Sequence, residues 1–180
     1  TCLHSEEVAL IAQAIGLELG FTSQEAKLLH IAGHLHDIGK IGIPDAILKK
    51  NGPLTHEEYN EIKRHPEIGA EIVAPVVGAM GHGEMIKIIL HHHERFDGRG
   101  YPAGLKGNNI PLGARIIAVA DSLSAMLQNR PYRDAMTFSQ AVEEIIACSG
   151  TQFDPQIVSA FIVIQDTVHE LVQSIRGVDM

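Results

Sequence analysis

Tryptophan is absent from this chain, and aromatic residues make up only 4% of it. A core without large rings has to be packed from Ile, Leu, Val, Ala and Met, and the 45% hydrophobic content is enough for one. Cations are also short: 14 Lys and Arg stand against 22 Asp and Glu, a formal charge of −8. That balance argues against broad attachment to DNA or RNA, which needs a basic surface. It leaves room for a small anion held by a metal and a few local cations. Cysteine occurs only as Cys2 and Cys148, with no CxxC pair and no disulfide framework, which fits a reducing, cytoplasmic compartment. No apolar run approaches the ~18 residues of a membrane span, and no signal peptide is visible. The 180 residues suit one domain over positions 1–180. Because the chain opens on Thr1 rather than Met, it reads as a piece of a longer protein.

Helical periodicity dominates what is there. Val8, Ile11, Ala12, Ile15 and Leu19 recur at steps of three and four, with Gly20 as a stop. Thr22 and Glu25 predict a capped second helix to about Ile38, Thr55 and Glu58 another, and Pro66 the opening of a third. Further helices are predicted from Met85 to about His93, Pro111 to about Gln128, Thr137 to Cys148, and Pro155 to about Ser174. The runs Ile116–Val119 and Phe161–Ile164 have strand-like composition, but each sits in a longer stretch of helical spacing and is read as helix. The long irregular segment is Asp97 to Pro111, with Gly98, Gly100, Gly104, Gly107 and Pro102; a loop of that length inside a domain is usually functional.

Eleven histidines are many for 180 residues, and their placement points to metal chemistry. His36 and Asp37 adjoin near the end of an apolar helix, about 100° apart on it, so both can lean into one pocket. An imidazole and a carboxylate suit Fe, Mn, Zn or Mg. A bare His-Asp dipeptide means little. The case is carried by His4 on the first helix, His65 at a helix start, His92 and His93 before the Gly-rich loop, and Asp121 inside a strongly apolar helix. A carboxylate buried there needs a partner, either a metal or a salt bridge to Arg115 or Arg130.

The whole set resembles the HD superfamily of metal-dependent phosphohydrolases, and within it the HD-GYP group. The strings carrying the resemblance are His36-Asp37-Ile38-Gly39-Lys40 through Asp45, His92-His93-Glu94-Arg95-Phe96-Asp97-Gly98-Arg99-Gly100-Tyr101-Pro102, Gly104-Leu105-Lys106-Gly107, Arg130-Pro131-Tyr132-Arg133 and Gly150-Thr151-Gln152-Phe153-Asp154-Pro155. The resemblance implies an all-α HD bundle around a central metal site. In it His4, His36, Asp37 and Asp121 hold one ion, and Asp37 bridges to a second held by His65, His92 and His93. Fe or Mn is implied first, with Zn, Mg or Ni as alternatives. A third ion seen in some members uses a Glu four residues before the first His, a position that here precedes Thr1. Asp37 and Lys40 then serve the reaction, with Lys40 at the scissile phosphate, and Tyr101, Arg130 and Arg133 contact the nucleotide.

The implied activity is hydrolysis of cyclic di-GMP to linear pGpG and onward to GMP. Diguanylate cyclase (GGDEF) domains are implied as partners, homodimer formation as an assembly, and a longer signalling protein as the setting. Alternatives are another cyclic dinucleotide such as cyclic GMP-AMP, a general nucleotide phosphohydrolase, and a module that binds without turnover.

Several residues are read more plainly. His30 and His34 are placed at the surface or behind the ligands, and His56, His82 and His169 in solvent. Lys106 is read as a solvated loop lysine, and Glu94, Arg95 and Asp97 as anchors of the loop. Two positions depart from the family pattern: Glu7 stands where Arg is common, and Ser124 where Asp is common. The second departure is expected to loosen Arg130 or shift substrate preference.

Overall fold

Three helices begin on one local device. The side chains of Thr22, Thr55 and Thr137 each accept from the backbone N–H three residues on, at Glu25, Glu58 and Gln140, whose side chains accept from the threonine N–H in return. The computed structural model describes residues 2–50, 52–79, 82–129 and 134–178. They form α1 (Cys2–Glu18), α2 (Ser23–Leu35), α3 (Asp45–Leu48), α4 (His56–Ile62), α5 (His65–Ala79), α6 (Gly83–His91), α7 (Leu112–Met126), α8 (Phe138–Ala147), α9 (Pro155–Val163) and α10 (Gln165–Val178), with 3-10 turns at Ile38–Gly42 and Gly107–Asn109. No strand forms among the described residues. Ser149 and Phe153 make an isolated bridge, and no helix is long and apolar enough to cross a membrane.

The core is assembled around α7. Ile116, Ile117, Val119, Ala120 and Leu123 are all fully buried, on the broad apolar side of a helix that leaves Arg115, Ala118, Asp121 and Ser122 partly exposed. It packs on α1, α2, α6, α8 and α9, and burial among these neighbours is what holds its β-branched run in a helix. Each such Ile or Leu contributes about 1.5–3 kcal/mol by leaving water. From α1, Val8, Ile11, Ala12 and Ile15 meet this core, the face set by their spacing. Asp121 is carried into the middle of the molecule by α7, and His4 is brought opposite by α1.

The last helical stretch is corrected by the structure. It breaks at Ile164 (φ −106°, ψ 12°), whose N–H turns back to Phe161 and Ile162 carbonyls. The break lets α10 fold across α1, burying Val168 and Val172. A straight continuation would leave both valines in water.

Candidate metal centre

His36 and Asp37 sit where a helix gives way to a turn. The sequence carries this helix to about Ile38, but α2 ends at Leu35, and Asp37 adopts φ −98°, ψ 5° ahead of the 3-10 turn. The reason lies across the fold. A β-carbon on Gly39 would come within 1.9 Å of the His65 carbonyl oxygen and 2.5 Å of Gly69 N. Only glycine lets this turn press backbone to backbone on the start of α5, and that contact is what brings Asp37 to His65.

Two groups of ligand-type side chains result. Asp37, His65, His92 and His93 form one, His4, His36 and Asp121 the other, and within each group the donor atoms all lie within 4.8 Å of one another. Asp37 faces both: its Oδ1 is 3.3 Å from His65 Nε2 and its Oδ2 3.5 Å from His36 Nε2. Asp121 Oδ1 lies 3.1 Å from His4 Nε2 and 3.8 Å from His36 Nε2. The salt-bridge alternative for Asp121 fails at Arg115, which pairs with Asp154; Arg130 lies outside the described residues. All seven sequence-derived ligands are thus brought together.

Local carbonyls orient three of the imidazoles. His36 Nδ1 donates to Gly33 O at 2.6 Å, His65 Nδ1 to Ile62 O at 2.7 Å, and His92 Nδ1 to Ile89 O at 2.7 Å. Each bond leaves Nε2 lone pairs aimed at the centre, the arrangement that metal-binding histidines use. These residues fit divalent ions on one observation above all: His36 Nε2 is buried with no hydrogen-bond partner while aimed between two carboxylates. A buried acceptor left unmatched is costly, and a cation held by the His/Asp donor set answers it.

Electrostatics agree. Burial pushes His93 down to about 4 and, with neighbouring imidazoles, pushes His92 well below its ordinary value; burial also lowers His65. Burial opposes the charge on Asp121, yet the His4 hydrogen bond and the nearby His36 and His93 hold its carboxyl well below the usual range. For Asp37, burial is likewise outweighed by His36 and Lys40. Neutral imidazoles and ionised carboxylates are the forms that bind metal.

A pH effect follows. His93 takes a proton near pH 4 when folded, against an ordinary value of 6.5, so the unfolded chain is protonated first as pH falls. Chelated protein should therefore lose stability between pH ~6.5 and ~4, with no further loss from this group below that range. Urea midpoints against pH check the direction; a flat profile over that interval contradicts it.

The Gly-rich loop closes over this centre as an anchored wall. Glu94, buried, accepts from Ala103 N at 2.7 Å and Leu105 N at 3.0 Å. Tyr101 N donates to His93 O at 3.3 Å, and the Tyr101 ring stacks on His93 with centroids 4.9 Å apart. Arg95 pairs with Asp97, as anchoring requires. Lys40 Nζ lies 2.5 Å from Asp37 Oδ2, with its side chain 43% exposed. Arg130 and Arg133 lie outside the described residues.

Lys63 joins the wall unannounced by the sequence. Its Nζ is 5.3 Å from the Tyr59 ring centroid and 5.7 Å from that of Tyr101, and nothing in the local pattern marks it. His30 and His34 interact with each other, and His34 with Glu6, apart from both ligand groups. His169 is half-buried and stacked on Phe138 rather than free in solvent. Ser124 and Glu7 face His4 from behind, so Glu7 is not a further ligand.

Comparison with known proteins places these features in context. A family model described as HD domain matches residues 3–157. Among curated relatives, the cyclic di-GMP phosphodiesterase response regulator RpfG of Xanthomonas campestris is 44% identical over 168 residues, covering 90% of this chain and 43% of the relative. The 3'3'-cGAMP-specific phosphodiesterase 2 of Vibrio cholerae is 37% identical, covering 88% of this chain and 30% of the relative. The chain thus spans less than half the length of either. Among solved structures, the HDG"Y"P protein Bd1817 of Bdellovibrio bacteriovorus superposes with a TM-score of 0.70 at 22% identity, covering 91% of this chain and 51% of that one. That likeness establishes the fold.

Proposed function

We propose, from the premise that the chain belongs to the HD domain family and its HD-GYP group, that it hydrolyses cyclic di-GMP to linear pGpG and onward to GMP. The observation carrying this reading is the convergence of seven His and Asp side chains into two ligand groups with the Asp37 carboxylate between them. A complete ligand set favours turnover over the rival of a binding module without activity.

His4, His36, Asp37 and Asp121 would hold one ion, and Asp37, His65, His92 and His93 another, with iron or manganese preferred. When bound, such ions supply Lewis acidity toward a phosphoryl oxygen and toward water. The chain's own residues do the rest. Lys40, half-exposed beside Asp37, offers its ammonium to the phosphate where negative charge builds. Burial pushes the Tyr101 phenol up, so it stays neutral and presents an aromatic face to a base, with the Lys63 ammonium near its ring. Arg130 and Arg133, outside the described residues, are assigned to phosphate or a guanine edge on the family resemblance, a role that a guanidinium fork suits. In the net reaction the oxygen of water bonds to phosphorus and the 3′ ribose oxygen leaves with a proton.

A relative specific for 3'3'-cGAMP keeps that hybrid as a second reading of the same site. GGDEF domains as partners, homodimer formation and a cytoplasmic setting belong to the first.

The test is a substrate panel of cyclic di-GMP, 3'3'-cGAMP and bis(p-nitrophenyl) phosphate on anaerobically metal-loaded protein. Tyr101→Ala should lower cyclic di-GMP hydrolysis about 10-fold or more, the worth of one stacked base, and leave the generic ester near wild type. Equal losses on both would make the loop a support of the metal core. Full metal content with binding but no turnover of any cyclic dinucleotide would favour the binding module.

A further inference from the structure

His36, His65 and His92 are each oriented by the carbonyl three residues before them, but His4 is not. It lies in the first turn of α1, and its Nδ1 is held from across the fold by Ser124 Oγ at 2.9 Å. Ser124 is fully buried on α7, one turn after Asp121. Its hydroxyl donates to Glu7 Oε2 at 2.5 Å, so its lone pair is left to accept from His4 Nδ1–H. That direction sets the His4 tautomer and keeps Nε2 free toward Asp121.

Glu7 is fully buried as well, and a carboxylate there needs a cation. Arg176, near the end of α10, supplies it through a two-pronged contact, Nε to Oε1 at 2.7 Å and Nη2 to Oε2 at 3.2 Å. Its Nη1 also donates to Leu127 O at 2.8 Å, which ties the guanidinium to the end of α7. Gln128 Nε2 completes the shell at 3.3 Å from Ser124 Oγ and 3.5 Å from Glu7 Oε2. Together these contacts, the shortest of them between Ser124, Glu7 and Arg176, join α1, α7 and α10 behind one ligand.

We infer that Ser124, Glu7 and Arg176 are a relay of positioning residues that fixes His4 as a metal ligand and makes the docking of α10 a condition of metal retention in the His4–His36–Asp121 group. The inference rests on the metal-centre reading above. Hydrogen-bonded carboxylates behind a ligating histidine both aim the ring and raise its basicity; here a serine hydroxyl passes the effect on from Glu7. In the other group His65 and His92 draw their orientation from local carbonyls, so the relay predicts that its ion is insensitive to α10.

The experiment measures Mn(II) stoichiometry and affinity by chelator competition, without recourse to activity. Ser124→Ala should weaken one Mn(II) about 10–100-fold, the usual effect of losing such a support, and leave the other at wild-type affinity. Ser124→Thr, which keeps a hydroxyl, should restore retention. Arg176→Ala should weaken the same ion, and Ser124→Ala with Arg176→Ala should be no worse than Ser124→Ala alone, because the relay is already cut. If Ser124→Ala holds both ions as wild type does, or weakens both alike, the relay is overturned. His4→Ala distinguishes the two levels: if it leaves wild-type stoichiometry intact, the metal-centre reading itself fails, and the relay with it.

Discussion

Asp37→Ala should strip the protein of both metal and turnover. Wild type, prepared anaerobically with metal supplied, is expected to carry close to two divalent ions per chain, and the variant close to none. Asp37 is the side chain that faces both ligand groups, Oδ1 toward His65 and Oδ2 toward His36. Its removal takes an anionic donor from each group at once and leaves imidazoles that repel one another's protonated forms. Loss of a residue that merely supports a ligand costs about 10–100-fold in metal affinity; loss of the shared ligand should exceed that for each ion. Asp121→Ala is the graded comparison, since Asp121 belongs to the His4 group alone and should empty that group first. Elemental analysis decides. No metal in wild type after such preparation, or full metal in Asp37→Ala, removes the centre as drawn.

Lys40→Ala should separate metal binding from catalysis. The expected result is unchanged metal content with turnover lower by about 10²–10³-fold, the usual effect of losing one electrostatic contact to developing charge. Lysine is ill suited to ligating a metal at neutral pH, and this one reaches the centre from the turn Ile38–Gly42, ion-paired with Asp37. A purely structural role predicts instead a loss of stability with turnover retained. The pair is partly exposed, so its loss should cost no more than ~1 kcal/mol of stability, and thermal melts of the variant should be close to wild type. Retained metal with unchanged turnover would assign Lys40 to structure.

Much of the site was legible because its residues are chemically conspicuous. A carboxylate in the apolar stretch around Asp121, a His-Asp pair at the end of an apolar helix, and paired histidines before a Gly-rich loop each need an explanation, and one centre supplies it. The grouping itself was implied by the family resemblance, and the structure shows what brings each group together. His4 and Asp121 meet through the packing of α1 on α7, and Asp37 meets His65 because Gly39 allows a backbone approach closer than any side chain permits. Glu7 and Ser124 were visible only as departures from a pattern. Their use became apparent once Arg176 was placed beside them, 169 residues from Glu7.

Features whose physics is local could be read directly from the chain. Helix starts at Thr22, Thr55 and Thr137 depend on bonds that span three residues, and the apolar face of α1 depends on spacing along one helix. Where the chain leaves its helical path is different. The early end of α2 and the break at Ile164 answer to partners far away in sequence, α5 for the first and α1 for the second. Propensity at those positions permits continuation, and burial of Val168 and Val172 overrides it. The identity of the candidate ligands was therefore written in the chain, whereas the orientation of His4 came from the tertiary packing, because a first-turn histidine takes its hydrogen-bond partner from whatever the fold packs against it.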